Sequence, residues 1–164
     1  MLISEQYLSQ QKELHKNKSY GTSGWKYAVF VRALGYSDIL DYGCGKRLLE
    51  GSLGFKIHNY DPAIEGLENN NQPHDLVFCG DVLEHIEPEL LDDVLKDIQR
   101  CAIKKAVLIP SIVPAKKTLS DGRNAHLIIE SFDWWKDRIS KHFKIEDSKE
   151  LGTEVLFVCA PIRS

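Results

Sequence analysis

The 164-residue chain has no apolar run approaching the roughly 20 residues that a membrane-crossing helix needs. Its opening residues, Met1-Leu2-Ile3-Ser4-Glu5-Gln6, lack the charged and apolar regions of a signal peptide. Excess positive charge is missing too. Twenty-one Lys and Arg stand against 24 Asp and Glu, for a net charge of −3 and a pI near 6.1. That balance argues against a protein that holds duplex nucleic acid by neutralising phosphates. The four cysteines, Cys44, Cys79, Cys101 and Cys159, show no CxxC spacing and lie in or beside apolar segments. They read as buried free thiols of a reducing compartment, not as a disulfide framework. No internal repeat or low-complexity tail is visible. These absences predict a soluble, cytoplasmic protein with no membrane partner. They leave the oligomeric state open.

What is present suffices for one packed domain, since 43% of the residues are hydrophobic. Ser4 can cap a helix over 4–16, whose stripe of Tyr7, Leu8, Gln11, Leu14 and His15 is only partly apolar. A loop over 17–24 follows, and Ser23 is expected to cap a second helix that stops at Gly35. Strands are expected at 39–42, 55–60, 75–79 and 106–109. Helices are expected near 46–52 and from Pro88, where Leu90, Leu91, Val94, Leu95 and Ile98 make a buried stripe. Ser131 can cap a further helix in which Phe132, Trp135, Ile139 and Phe143 share a face. Trp135 reads as core, whereas Trp134 falls off that stripe. Two last strands, near 143–148 and 154–160, meet at a turn over 151–153. Alternating strands and helices imply an α/β fold with a mostly parallel sheet, and the short final connection implies an antiparallel pair.

The chemistry concentrates at strand ends. Ile39-Leu40-Asp41-Tyr42-Gly43-Cys44-Gly45 runs from a strand into two glycines one residue apart. Such a turn admits the close approach of a nucleotide-like cofactor. Asp61, at the end of the second strand, suits the two hydroxyls of a ribose. Either feature alone is weak, and in register they point to a cofactor site.

These residues carry a family resemblance. Asp41-Tyr42-Gly43-Cys44-Gly45, Asp61 and Cys79-Gly80-Asp81-Val82-Leu83-Glu84-His85-Ile86 resemble the class I S-adenosylmethionine-dependent methyltransferases from about residue 36 to the C-terminus. That family has a Rossmann-like seven-stranded sheet ending in an antiparallel hairpin. A narrower resemblance is to small phage-encoded or bacterial methyltransferase-like proteins. It rests on Leu14-His15, Tyr20-Gly21-Thr22-Ser23-Gly24, Asp41 to Lys46, Tyr60-Asp61-Pro62-Ala63, Asp81 to Pro88, Asp121 to Ile128, and Trp134-Trp135. The resemblance implies S-adenosylmethionine as cofactor, an N-terminal helical segment over 1–35 packed on a methyltransferase-like domain over 36–164, and a methyl acceptor it does not name. A small molecule, sugar or nucleotide suits the acidic pI.

The resemblance also assigns roles. The glycine turn (Gly43, Cys44, Gly45) faces the amino-acid tail, and Asp41 orients that loop or reaches the ammonium. Asp61 with Pro62 serves the ribose. Main chain at Ile64, with Asp81 and Val82, flanks the adenine. Tyr20 and Gly21 belong to a segment able to lid the cofactor. Beyond the fourth strand, Arg123, Asn124 and His126 are candidates to bind or deprotonate the acceptor, or else brace a lid by their own hydrogen bonds. His85 is either a general base or a structural histidine. Lys116 and Lys117 read first as solvated surface and second as a phosphate clamp. No metal is expected, because Glu84 and His85 read as a hydrogen-bonded turn. The alternative is a divalent ion on Glu84, His85 and His126, since some small-RNA and quinone methyltransferases are similar there and use one. Two departures stand out. Arg47 occupies a place where the family commonly has a small residue, and only about 13 residues separate Asp61 from the third strand, which implies a reduced sheet edge. These departures motivate an alternative, a catalytically inactive methyltransferase-like binding module. A nicotinamide enzyme is disfavoured by the incomplete GxGxxG.

Overall fold

The computed structural model describes residues 1–163. Six strands, β1 (Ile39–Tyr42), β2 (His58–Tyr60), β3 (His74–Gly80), β4 (Ala102–Ile109), β5 (Phe143–Glu150) and β6 (Val155–Pro161), form one sheet in the order β2-β1-β3-β4-β6-β5. The first four are parallel, and β6 runs antiparallel to both β4 and β5. This is the Rossmann-like mixed sheet that the pattern of elements predicts. Among the described residues no strand lies outside β2, because only turns occupy the chain between Asp61 and His74.

Alternation along the strands builds two cores, one on each face. Leu40 and Tyr42 of β1, Val77 and Cys79 of β3, and Leu108 of β4 pack with α4 (Leu91–Cys101) and α5 (Phe132–Ile139). Ile39, Leu76, Phe78 and Val107 point the other way, against α2 (Ala28–Ala33) and α3 (Leu48–Leu53). Helix α4 buries Leu91, Val94, Leu95, Ile98 and Cys101 and carries Asp92 and Asp93 in its first turn, where the helix dipole favours acids. All four cysteines are buried free thiols.

Several boundaries differ from the sequence expectation. Ser23 makes no capping bond; residues 24–27 form a 3₁₀ turn, and α2 begins only at Ala28. Gly24 packs against α3 so tightly that a Cβ there would lie 2.9 Å from the Leu49 amide nitrogen. Strand β2 starts at His58 because the Ile57 amide donates to the Glu50 carboxylate at 2.9 Å instead of to a strand. The helix after Pro88 opens with a 3₁₀ turn. Ser131 caps α5 as expected, accepting from the Trp134 amide, but the helix ends at Ile139, and Phe143 opens β5. Trp134 packs partly buried beside Trp135, with Arg138 over its ring.

Helix α1 (Glu5–His15), capped by Ser4, lies across the C-terminal ends of the strands. Glu87 accepts from both the amide and the hydroxyl of Ser4, and Gln10 donates to Asp121. The sheet end where the parallel strands finish is therefore roofed by the N-terminal segment.

Candidate functional site

A cavity of about 410 Å³ opens at that end, within the range of small-ligand sites. Each parallel strand delivers a residue to its wall just past its C-terminus or close beyond: Gly43 after β1, Asp61 after β2, Asp81 after β3 and Ser111 beyond β4. In open α/β sheets, ligands bind at such a crevice, where the strand order reverses.

The glycine turn is built by close contact within the protein. A Cβ on Gly43 would lie 2.4 Å from Val82, and one on Gly45 would lie 2.5 Å from the Gly21 carbonyl oxygen. The glycines thus admit Val82 and the N-terminal segment, a requirement sequence reading assigns to a cofactor. Every amide from Gly43 to Arg47 is already bonded: Gly43 and Cys44 to the Tyr60 carbonyl, Gly45 to Asp61, Lys46 to the Gly21 carbonyl, and Arg47 to the Cys44 carbonyl. Spare capacity in the turn's backbone lies in its carbonyl oxygens, although those of Cys44 and Gly45 already accept from the Arg47 amide and the Cys44 thiol. Carbonyl oxygens accept hydrogen bonds, which suits an ammonium and not the pyrophosphate of a dinucleotide. Arg47 sits in the left-handed region at φ 61°, the conformation a glycine would hold without strain.

Asp61 is buried at the cavity wall. One oxygen accepts from the Gly45 amide (3.1 Å) and the other from the Ala63 amide (3.0 Å). A carboxylate offers about four acceptor positions, so two remain, the number a vicinal diol requires. Pro62, Tyr20, Gly21 and Val82 also line the cavity. Asp81 does so from a left-handed backbone at φ 57°, held by the Tyr27 hydroxyl (2.9 Å) and Lys26 (3.3 Å). Three sequence-predicted cofactor residues, Asp41, Cys44 and Ile64, are not in the cavity wall. Asp41 lies behind the turn, where burial, then Asp61 and Glu50, pushes its pKa up to about 8. From there it does not face a ligand in the cavity. Burial likewise raises the Cys44 thiol. Ala63 lines the wall where Ile64 was expected, and the Ile64 amide instead closes a turn onto the Asp61 carbonyl.

Across the cavity stand Glu84, His85 and His126. His85 Nδ1 lies 2.9 Å from the Ala125 carbonyl, and His126 Nδ1 lies 2.6 Å from that of Val113. A carbonyl can only accept, so each Nδ1 carries a proton, and Nε2 is the nitrogen of each ring that can offer a lone pair. The rings meet edge to face with centroids 4.7 Å apart. Burial, then His126, lowers the His85 pKa to about 3. Glu84 is fully buried, and neither carboxylate oxygen has a hydrogen-bond partner. The amides of Glu84 and Ser111 come near enough to favour its charged form without making well-formed bonds, and burial still drives its pKa well up. The expected hydrogen-bonded turn is present in the backbone, as a 3₁₀ turn over Leu83–His85, and the Glu84 side chain takes no part in it. His126 Nε2 is 4.0 Å from Glu84 Oε1, and one ligand atom from each of Glu84, His85 and His126 lies within 4.8 Å of the other two.

Arg123 and Asn124 do not line the cavity. Asn124 spends its amide on the loop, accepting from the Ala115 and His126 amides and donating to the Ala115 carbonyl. It thereby aims His126. Arg123 pairs with Asp121 on the surface. Lys116 and Lys117 are at the cavity rim, where Lys117 donates to Ser19. The sequence reading missed Tyr7, Gln11 and His15 as wall residues. They recur every four positions on α1, and a stripe of that spacing mixing polar with apolar residues was the available signal. Tyr20 donates to Gln11 (2.8 Å), Gln11 to Tyr7 (2.7 Å), and Tyr7 to the His85 carbonyl. Glu154 and Thr153, from the β5–β6 turn, complete the wall and leave no signature in sequence.

No helix among the described residues is long and apolar enough to cross a membrane. No protein-family model and no curated protein matches the chain. Solved structures do. The 1,6-didemethyltoxoflavin-N1-methyltransferase of Burkholderia thailandensis, solved with 1,6-didemethyltoxoflavin and S-adenosylhomocysteine bound, superposes with a TM-score of 0.70 at 13% identity, covering 99% of this chain and 92% of that one. The magnesium protoporphyrin IX methyltransferase of Synechocystis, with S-adenosylmethionine bound, gives 0.58 at 14% identity over 87% and 80%. The 16S rRNA methylase ArmA gives 0.54 at 19% identity over 94% and 91%. At such identities the likeness is one of fold, and across nearly its whole length the chain has the fold of the class I S-adenosylmethionine-dependent methyltransferases.

Proposed function

We propose that this protein is an S-adenosylmethionine-dependent methyltransferase acting on an oxygen or nitrogen of a small, sugar-like or nucleotide-like acceptor. The observation that carries the reading is one cavity that holds both an Asp61 carboxylate with two acceptor positions to spare and a His126 Nε2 lone pair. S-adenosylmethionine supplies an activated methyl group on a sulfonium. Asp61 accepts from the ribose hydroxyls, and carbonyls of the glycine turn accept from the ammonium. The roof formed by Tyr7, Gln11 and Tyr20 excludes water. Alignment in this enclosure supplies much of the rate. His126 takes the proton of an acceptor hydroxyl at Nε2, its Nδ1–H fixed by Val113.

The orphaned Glu84 carboxylate favours a second, exclusive version in which His126 Nε2 is a metal ligand and not the base. Glu84, His85 and His126 would hold a divalent cation through one oxygen and two Nε2 atoms, and both Nδ1–H groups already donate to carbonyls as metal-bound histidines do. Such an ion would polarise an acceptor hydroxyl.

Calorimetry with S-adenosylmethionine and S-adenosylhomocysteine tests the core of the proposal. Micromolar binding lost in Asp61→Ala supports it. Folded protein that binds neither would point to the inactive binding module.

A further inference from the structure

We propose that Asp38, His58 and His74 form a second divalent-metal site, of zinc type, which staples the short edge of the sheet. This site is independent of the methyltransferase reading. It lies at the opposite end of the sheet from the cavity. His58 opens β2, His74 opens β3, and Asp38 immediately precedes β1, so three neighbouring strands each contribute one ligand at their N-terminal ends.

The separations fit a small cation. One ligand atom from each residue lies within 4.8 Å of the other two. Asp38 Oδ1 is 2.8 Å from His74 Nδ1 and 3.8 Å from His58 Nε2. Tetrahedral ligands about 2.05 Å from zinc stand about 3.3 Å apart, midway between those separations. The two imidazoles stack with centroids 3.9 Å apart and planes 20° apart, so the exposed His58 ring must turn out of the stack to aim its lone pair at an ion shared with His74. A proton on His74 satisfies only the shorter contact, because 3.8 Å is too long for a hydrogen bond. His58 is left to solvent in that arrangement, whereas a metal ion would bind all three groups at once. The other oxygen of Asp38 accepts the Asp75 amide at 3.0 Å, which holds the carboxylate in place as outer contacts of metal ligands do. Two imidazoles and one carboxylate suit zinc, whereas calcium and magnesium prefer all-oxygen sets.

The position gives the site a purpose. Strand β2 has three residues and a single neighbour, β1. A metal bond from its first residue to the starts of β1 and β3 strengthens the edge where no outer strand covers it.

The test is a zinc titration of the full chain by calorimetry, with thermal unfolding alongside. His58→Gln is the informative variant, since that side chain is 59% exposed and its loss leaves the core intact. Glu84→Gln, run in parallel, removes one ligand from the cavity cluster. The expected result is a zinc-binding step that persists in Glu84→Gln and weakens at least tenfold in His58→Gln. At a hundredfold excess over the dissociation constant, zinc should raise the unfolding midpoint by roughly 5–10 °C in wild type and not in His58→Gln. An isotherm unchanged by His58→Gln overturns the site. Binding that depends on His58 but leaves the unfolding midpoint unmoved overturns the staple.

Discussion

Gly21 and Gly45 are in backbone contact: a methyl group on Gly45 would lie 2.5 Å from the Gly21 carbonyl oxygen and 2.7 Å from its α-carbon. The N-terminal segment and the glycine turn are thus fitted to each other, and the turn's geometry depends on both.

Gly45→Ala should therefore do more than strain one residue. Its φ of 53° costs a side chain about 1–2 kcal/mol, and the clash with Gly21 adds roughly 1–3 kcal/mol. Gly54→Ala is the control, with φ 79° and open space around it, and should lose only the conformational part. Urea denaturation of the two variants separates the contributions. Equal losses would show that the contact with Gly21 carries no energy.

His126→Ala should cut turnover by about 10²–10⁴-fold and leave S-adenosylhomocysteine affinity within a fewfold of wild type. The readouts are steady-state rates with the true acceptor and calorimetry with the cofactor product. Unchanged turnover would remove His126 from the proton-transfer role.

Glu84→Gln should abolish any thermal stabilisation by an imidazole-binding divalent ion such as zinc or nickel that depends on the cavity cluster. In metal-free protein it should raise stability at alkaline pH, because the buried, unpartnered carboxylate is costly to ionise. Melting curves at pH 5 and pH 8, with and without metal, check both parts. A variant that remains metal-responsive at the cavity, or loses stability at pH 8, counts against the reading.

Two buried groups should shape stability against pH from opposite sides. The folded pKa of His85, about 3, is below its unfolded value near 6.5, so the unfolded chain binds the extra proton. Its contribution is complete above pH 6.5 and is lost as pH falls towards 3. The folded pKa of Asp41, about 8, is above its unfolded value near 4, so the folded chain keeps the proton. Its contribution is complete below pH 4 and is lost as pH rises to 8. Asp41→Asn should flatten the decline between pH 5 and pH 8, as read by chemical denaturation at each pH. An unaltered slope would show that Asp41 ionises normally.

Much of the fold was legible because it is written in local pattern. The buried strand Ile39–Tyr42, the apolar stripe of α4 and the hairpin turn near Gly152 are each set by residues close in sequence. Errors arose where a distant or competing partner decided the outcome. Glu50 claims the Ile57 amide and shortens β2, and contact with Leu49 constrains Gly24. The site shows the same division. Gly43, Gly45, Asp61 and Asp81 stand at strand ends, where topology puts them in the wall. Asp41 precedes the turn by two residues, yet strand alternation turns it behind the wall. Asn124 resembles an acceptor contact until its three hydrogen bonds show it bracing the loop. Nothing local marks Glu84 as lacking a partner, since that depends on what the rest of the chain fails to bring to it.

The ammonium of Lys46 donates to the carbonyls of His15, Asn17 and Tyr20, at the end of α1, where the helix dipole leaves negative charge. One side chain of the glycine turn thereby ties the C-terminal end of α1 and the loop after it to the cavity floor, while Ser4 and Gln10 fasten the other end. Lys46→Ala should therefore speed the release of bound S-adenosylhomocysteine, read as a dissociation rate, and an unchanged rate would show that this clasp does not control release. On the proposed function, residence time and chemical step would be open to independent change, the first at Lys46 and the second at His126.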